Sequence, residues 1–389
     1  MSRIRVYGVR ALVALVVVLA VVTVWKWQEV QRLVAVNALF NEEKMAWNFS
    51  NMDQLFFHAP IPLGEVDTAV LPQNPRQLTG LDEWIEARRL TALVVLSEGE
   101  LVYEDYYRDT APEDRRISWS VAKSFLSALF GILVDEGVIE SIDDPVTRYA
   151  PELADSAYDG VTIRNALHMG SGIRFNEDYF DFHSDINRMG QALALGGTLD
   201  GFTLRRKERE FEPGERFQYV SIDTHVIGMV IRGATGRSVL ELMGERVLTP
   251  MGVESEPYYI TDGAGVAFVL GGLNMMTRDY ARFGQMFLQD GYFNGRRIVP
   301  ADWVAESTVP SSPTAEGAIQ YGYQWWIPAD ASEGEFLARG VYGQFIYINR
   351  PAGVVVAANS ADPDFREPGA FEQNLAMFRA LAEALGRDE

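Results

Sequence analysis

Cysteine is absent from this chain of 389 residues, and lysine and histidine are scarce, with four of each. The missing thiols exclude a disulfide framework, a thiolate zinc site and a cysteine nucleophile. His58, His168, His183 and His225 show no helical ligand spacing, so neither a metal nor a cofactor is expected. His168 and His225 read as structural. Positive charge is also short: 34 Lys+Arg stand against 54 Asp+Glu, a net charge of −20. Polyanions demand clustered cations, so a nucleic-acid partner is excluded. Gly-x-Ser-x-Gly, His-Glu-x-x-His and a Walker phosphate loop are all missing. The rest is ordinary globular composition, 48% hydrophobic and 23% charged, in a chain long enough to bury a substantial core.

One long apolar run exists. Arg3, Arg5 and Arg10 precede Ala11–Trp25, which Lys26 and Trp27 close. Basic residues followed by hydrocarbon mark an export signal or a membrane anchor. With Arg10 and Lys26 snorkelling and two tryptophans at the interface, Val6–Trp27 reaches across a bilayer. No small-x-small cleavage site follows closely, which favours an uncleaved anchor over residues 1–27 with the N-terminus in the cytoplasm. A cleaved signal peptide is the alternative. Both place the remaining chain outside the cytoplasm. Residues 28–60 read as a polar juxtamembrane helix and linker, and 61–389 as the folded body.

Within that body Leu93–Tyr107 reads as a hairpin turning at Glu98-Gly99. Phe345–Ile348 and Val354–Ala357 are strand-like, and Phe371–Leu385 has amphipathic helical spacing. An economical layout joins these terminal strands in one antiparallel sheet and makes the middle a mostly helical insertion. No repeat or low-complexity segment interrupts it.

Chemistry concentrates in Ile117–Val134. Apolar residues occupy every side of the implied helix, the signature of a buried one. Lys123 is its single charge. An ammonium there must find a partner or lose its proton, and desolvation drives a lysine toward the neutral amine, a base. Ser120, three positions earlier, shares its face. At a helix N-terminus the backbone N–H groups favour a developing negative charge, so nucleophile, base and an oxyanion donor fit in one turn. With four lysines in the chain, a chance Ser-x-x-Lys match is rare. A helix capped by Ser118 or Ser120, with Lys123 snorkelling out, is the structural alternative.

Ser120-Val-Ala-Lys123 and the apolar helix after it resemble the serine β-lactamase and penicillin-recognising superfamily, in its class C and esterase branch. Other stretches agree in order: Thr162–Gly172, Pro213–Ser221, Thr235-Gly236, Thr249–Gly252, Gly271–Thr277, Tyr321–Trp326 and Gly340–Gln344. The likeness covers roughly residues 80–385. It implies a β-lactamase-like α/β (α+β) fold and bacterial origin. It also implies a serine hydrolase that cleaves a small ester or amide through an acyl-enzyme. Ser120 would attack, Lys123 would take its proton, and Tyr219 would relay a proton to the leaving group. The N–H groups of Ser120 and Val341, after Gly340 on the sheet edge, would form the oxyanion hole.

Two departures from that pattern stand out. Ala338-Arg339-Gly340 replaces the usual Lys- or His-Thr-Gly, and Ser221 replaces the Asn of Tyr-x-Asn. Both resemble the 6-aminohexanoate-dimer hydrolase and carboxylesterase branch more than a lactamase. In that branch a loop tyrosine reaches over the substrate, and Tyr179 matches it. Asn274, Ser221 and Gly340 complete the implied substrate contacts. A β-lactamase or D-Ala-D-Ala peptidase, and a membrane-tethered binding protein without catalysis, are the alternative functions. Oligomeric state is not readable.

Overall fold

The computed structural model describes residues 27–386 without a break, with residues 7, 8, 10, 12, 13 and 16 besides. The expected anchor, Val6–Trp27, thus falls mostly outside the described residues. Among those described, no helix is long and apolar enough to cross a membrane, so the transmembrane part of the expected fold has no structural support.

Seven strands form the central sheet: β1 Leu90–Ser97, β2 Glu100–Tyr106, β3 Gln320–Tyr321, β4 Trp326–Ile327, β5 Glu335–Gly340, β6 Gln344–Asn349 and β7 Val354–Ser360. Their order is β2-β1-β7-β6-β5-β4-β3, antiparallel throughout. The N-terminal hairpin therefore pairs with the last strand of the chain, as the layout above anticipates. The longer helices are α1 Trp27–Ala38, α2 Ala122–Asp135, α3 Asp185–Ala194, α4 Ile222–Thr235, α5 Thr277–Leu288 and α6 Ala370–Leu385.

Every residue of β1 is buried, which a strand achieves only when both faces of its sheet are covered. Side chains alternate between two cores. Leu93, Val95, Val356 and Leu337 pack with Phe378 and Leu381 of α6. Val94, Leu96, Val355 and Ala357 face the larger core, with Phe125 of α2 and Phe283 of α5. Those two phenyl rings stack at 3.6 Å and lock α2 against α5. Ala122–Leu133 of α2 are all buried. Gly131 is required there, since a Cβ at that position would sit 2.2 Å from the Trp303 ring.

The stretch expected to be a linker belongs to the body. Leu39, Met45, Phe49, Met52 and Ile61 are buried in the larger core, and His58–Pro60 pairs antiparallel with Tyr258–Ile260. Met45, Phe49 and Met52 keep a helical spacing that the polar residues between them disguise. Buried Arg116 ties this segment to the sheet by donating to the Ala46 carbonyl at 2.8 Å and the Thr91 hydroxyl at 2.9 Å. Both acceptors are neutral, so burial lowers this guanidinium from its usual value to about 10.

Candidate active site

Ser120 lies in a tight turn, Trp119–Val121, that runs directly into α2. Trp119, just before it, holds φ +42°, a left-handed conformation that is costly for a bulky residue. The turn presents Ser120 at the mouth of α2 while Lys123 begins the buried helix. Lys123 Nζ lies 3.0 Å from Ser120 Oγ and donates to the Leu270 carbonyl at 2.6 Å. Its side chain does not snorkel: Lys123 is 1% exposed. Burial lowers the amine to about 7, with the Glu177 carboxylate pulling weakly the other way. At neutral pH a large fraction is therefore unprotonated and basic.

The end of β5 closes on this turn. A Cβ at Gly340 would stand 2.7 Å from the Ser118 carbonyl and 3.1 Å from the Ser120 nitrogen, so only glycine permits the approach. Val341 follows and lines the cleft. Tyr342 is then left-handed, at φ +58°. Residues in strained conformations thus flank both Ser120 and Val341, and their rings, Trp119 and Tyr342, lie 6.3 Å apart.

Tyr219 approaches from the loop before α4. Its ring stacks on Trp326 at 5.2 Å and lies 5.4 Å from Lys123 Nζ. Burial pushes its phenol well above the ordinary value, the Glu177 carboxylate adds to this, and hydrogen bonds with Ser120 and Ser221 oppose it. The phenol therefore stays protonated at neutral pH. Ser221 is buried and lines the cleft.

Glu177 is the residue that sequence reasoning missed. Its carboxylate accepts from the Ser221 backbone N–H at 2.9 Å, from the Ser221 hydroxyl, and from the Tyr179 hydroxyl at 2.6 Å. It is one of four acidic residues in 177–185, with Asp178, Asp181 and Asp185, and in so acidic a chain one carboxylate carries no distinguishing signal. Only the fold shows that it joins the Tyr179 loop to the start of α4. The Leu270 carbonyl was equally invisible, because every residue has one.

Ser120, Lys123, Tyr219, Ser221, Tyr179, Gly340 and Val341 converge at one place. Asn274 does not join them. It is fully buried in a short strand, Leu273–Met275, donates to the Gly272 carbonyl at 2.9 Å and lines no part of the cleft. Arg339 lies on the α6 face of β5, its guanidinium 4.3 Å from the Phe371 ring centre and 5.9 Å from Trp326. It still stands near enough to Tyr219, which stacks on the same Trp326, to pull that phenol's value down against the burial. His168 meets Ser311 at 2.9 Å and His225 meets Asp200 at 2.8 Å, both outside the cleft lining.

The cleft at Ser120 spans about 740 Å³, the open solvent at its mouth included. Trp119, Tyr179, Ile186, Leu193, Phe268 and Leu270 form much of its wall. Such a hollow ends at a hydroxyl paired with a desolvated amine, with a protonated phenol beside them. That arrangement suits nucleophilic attack on an acyl carbon.

A protein-family model described as beta-lactamase matches residues 82–377. The chain belongs to the beta-lactamase family and is a hydrolase of its serine β-lactamase-like class. Along 341 residues it is 29% identical to the 6-aminohexanoate-dimer hydrolase of Paenarthrobacter ureafaciens, covering 82% of this chain and 86% of that one. A D-aminopeptidase of Brucella anthropi is 26% identical over 172 residues, 42% of this chain and 32% of that protein. Among solved structures, a Bacillus anthracis protein named for the 6-aminohexanoate-dimer hydrolases superposes with a TM-score of 0.79 at 25% identity. It covers 88% of this chain and 94% of its own.

Proposed function

We propose that the protein cleaves a small ester or amide through an acyl-enzyme on Ser120. The observation that carries this reading is the 3.0 Å approach of Ser120 Oγ to an amine whose burial leaves it near neutrality. Lys123 takes the Ser120 proton as Oγ bonds to the acyl carbon. The oxyanion so formed accepts from the N–H groups of Ser120 and Val341. Tyr219 gives its proton to the departing alcohol or amine and recovers one from the Lys123 ammonium. Water then attacks the acyl-enzyme, yields its proton along the same route and releases the acid. Tyr179 leans over the substrate, and Ser221, held by Glu177, keeps the Tyr219 hydroxyl in register.

A β-lactam reading is weaker. Ala338-Arg339-Gly340 stands where that chemistry has Lys- or His-Thr-Gly, and the Arg339 guanidinium packs on the Phe371 ring at 4.3 Å. Labelling with a fluorophosphonate probe tests the proposal: the wild type gains one adduct on Ser120 and Ser120→Ala gains none. An unlabelled wild type, with no turnover of any p-nitrophenyl ester, would sink it.

A further inference from the structure

We infer that the N-terminal segment builds the acyl-binding pocket, and that the substrate brings an uncharged, apolar acyl chain of medium length. This rests on Ser120 as nucleophile. Five residues that line the cleft, Val36, Leu39, Phe40, Met52 and Phe56, precede the matched region 82–377. Val36 lies in α1, Leu39 and Phe40 in the turn that follows it, Met52 in the short helix Met52–Leu55, and Phe56 directly after that helix. Among the described residues, none that lines the cleft carries a charge.

The wall is joined to the turns that hold the reacting groups. Phe40 stacks on Tyr342 at 4.6 Å, and Phe49 meets Trp119 edge-on at 5.5 Å. Arg32 donates to the Ala194 carbonyl at the end of α3 at 3.0 Å, with its guanidinium 3.8 Å from the Phe57 ring centre. The pocket is therefore shaped by packing that also positions Ser120 and Val341. Tyr219, the proton donor, is absent from its lining. Hence the apolar hollow receives the acyl side, and the leaving group departs past Tyr219 and Trp326.

A chain ending in an ammonium fits this hollow poorly. The Glu177 carboxylate beside the cleft is already occupied by Tyr179 and Ser221. A desolvated ammonium without a partner is costly. The relative named above acts on a 6-aminohexanoate dimer, whose acyl half ends in an amine. The structure thus separates this protein from that substrate while keeping its chemistry.

The test uses the full chain and p-nitrophenyl acetate, butyrate, hexanoate and 6-aminohexanoate, with fluorophosphonate labelling of Ser120 alongside. From acetate to hexanoate kcat/KM rises about fourfold per methylene, the value for burying hydrocarbon. Hexanoate exceeds 6-aminohexanoate by roughly 100-fold. Phe40→Ala lowers the hexanoate-to-acetate ratio severalfold, and Val36→Asp narrows the gap between hexanoate and 6-aminohexanoate. Labelling of each variant reports an intact site. Full labelling with a flat chain-length profile, or 6-aminohexanoate as the better ester, overturns the acyl pocket and leaves the nucleophile standing. Loss of both labelling and turnover in the wild type removes the nucleophile instead.

Discussion

On one side of the cleft buried Ser120, Lys123 and Ser221 join half-buried Tyr219 and Glu177 in a chain of polar contacts. On the other, Val36, Leu39, Phe40, Met52 and Phe56 present hydrocarbon and rings. The polar side depends on every member, because a buried donor or acceptor that loses its partner cannot turn to water. The apolar wall depends on total volume and tolerates substitution in small steps. The first region suits a reaction that must not vary, and the second a specificity that can.

The difference can be broken most severely at Lys123. Lys123→Ala should lower the acylation rate by about 10³-fold or more while circular dichroism shows an unchanged fold. Lys123→Arg should fail as well, since a guanidinium keeps its proton. Ordinary burst kinetics in either variant would move the base elsewhere. Next is Gly340→Ala, whose Cβ would meet the Ser118 carbonyl at 2.7 Å and displace Val341 from Ser120. A loss of about 10²-fold in kcat is expected, as for a withdrawn oxyanion donor. Unchanged kcat would separate Val341 from the reaction.

The smallest effect sharpens the comparison by pH. In the proposed mechanism Lys123 acts as the free amine, and burial lowers it to about 7, so kcat/KM should fall as pH drops below that value and level off above it. Glu177 raises the Lys123 value, so Glu177→Gln moves the acid limb to lower pH. At pH 6 the variant should keep a larger share of its own plateau rate than the wild type, by a few-fold. A limb that stays in place would show that Glu177 acts on Tyr179 and Ser221 alone.

Much of the central sheet was legible in the chain. The hairpin around Glu98-Gly99, the strands near the C-terminus and the final helix all announce themselves by period and turn residues. The pairing of Ser120 with Lys123 was legible for the same reason, since both sit within one turn and local geometry joins them. The 39–57 segment was not, because its buried Met45, Phe49 and Met52 are spaced among polar residues and their partners are remote in sequence. Asn274 shows the opposite failure: it follows a glycine pair that marks a turn near the cleft, yet its side chain turns back to Gly272.

By itself the sequence determined an apolar helix with one amine in it, a serine one turn ahead, and the absence of thiols and of clustered cations. Those properties follow from composition and short-range spacing. Tertiary structure alone decided that Lys123 is sealed from water, that Glu177 among many carboxylates reaches the start of α4, and that residues 36–56 roof the cleft. Desolvation and long-range contact depend on which distant segments meet, and no local pattern encodes that meeting.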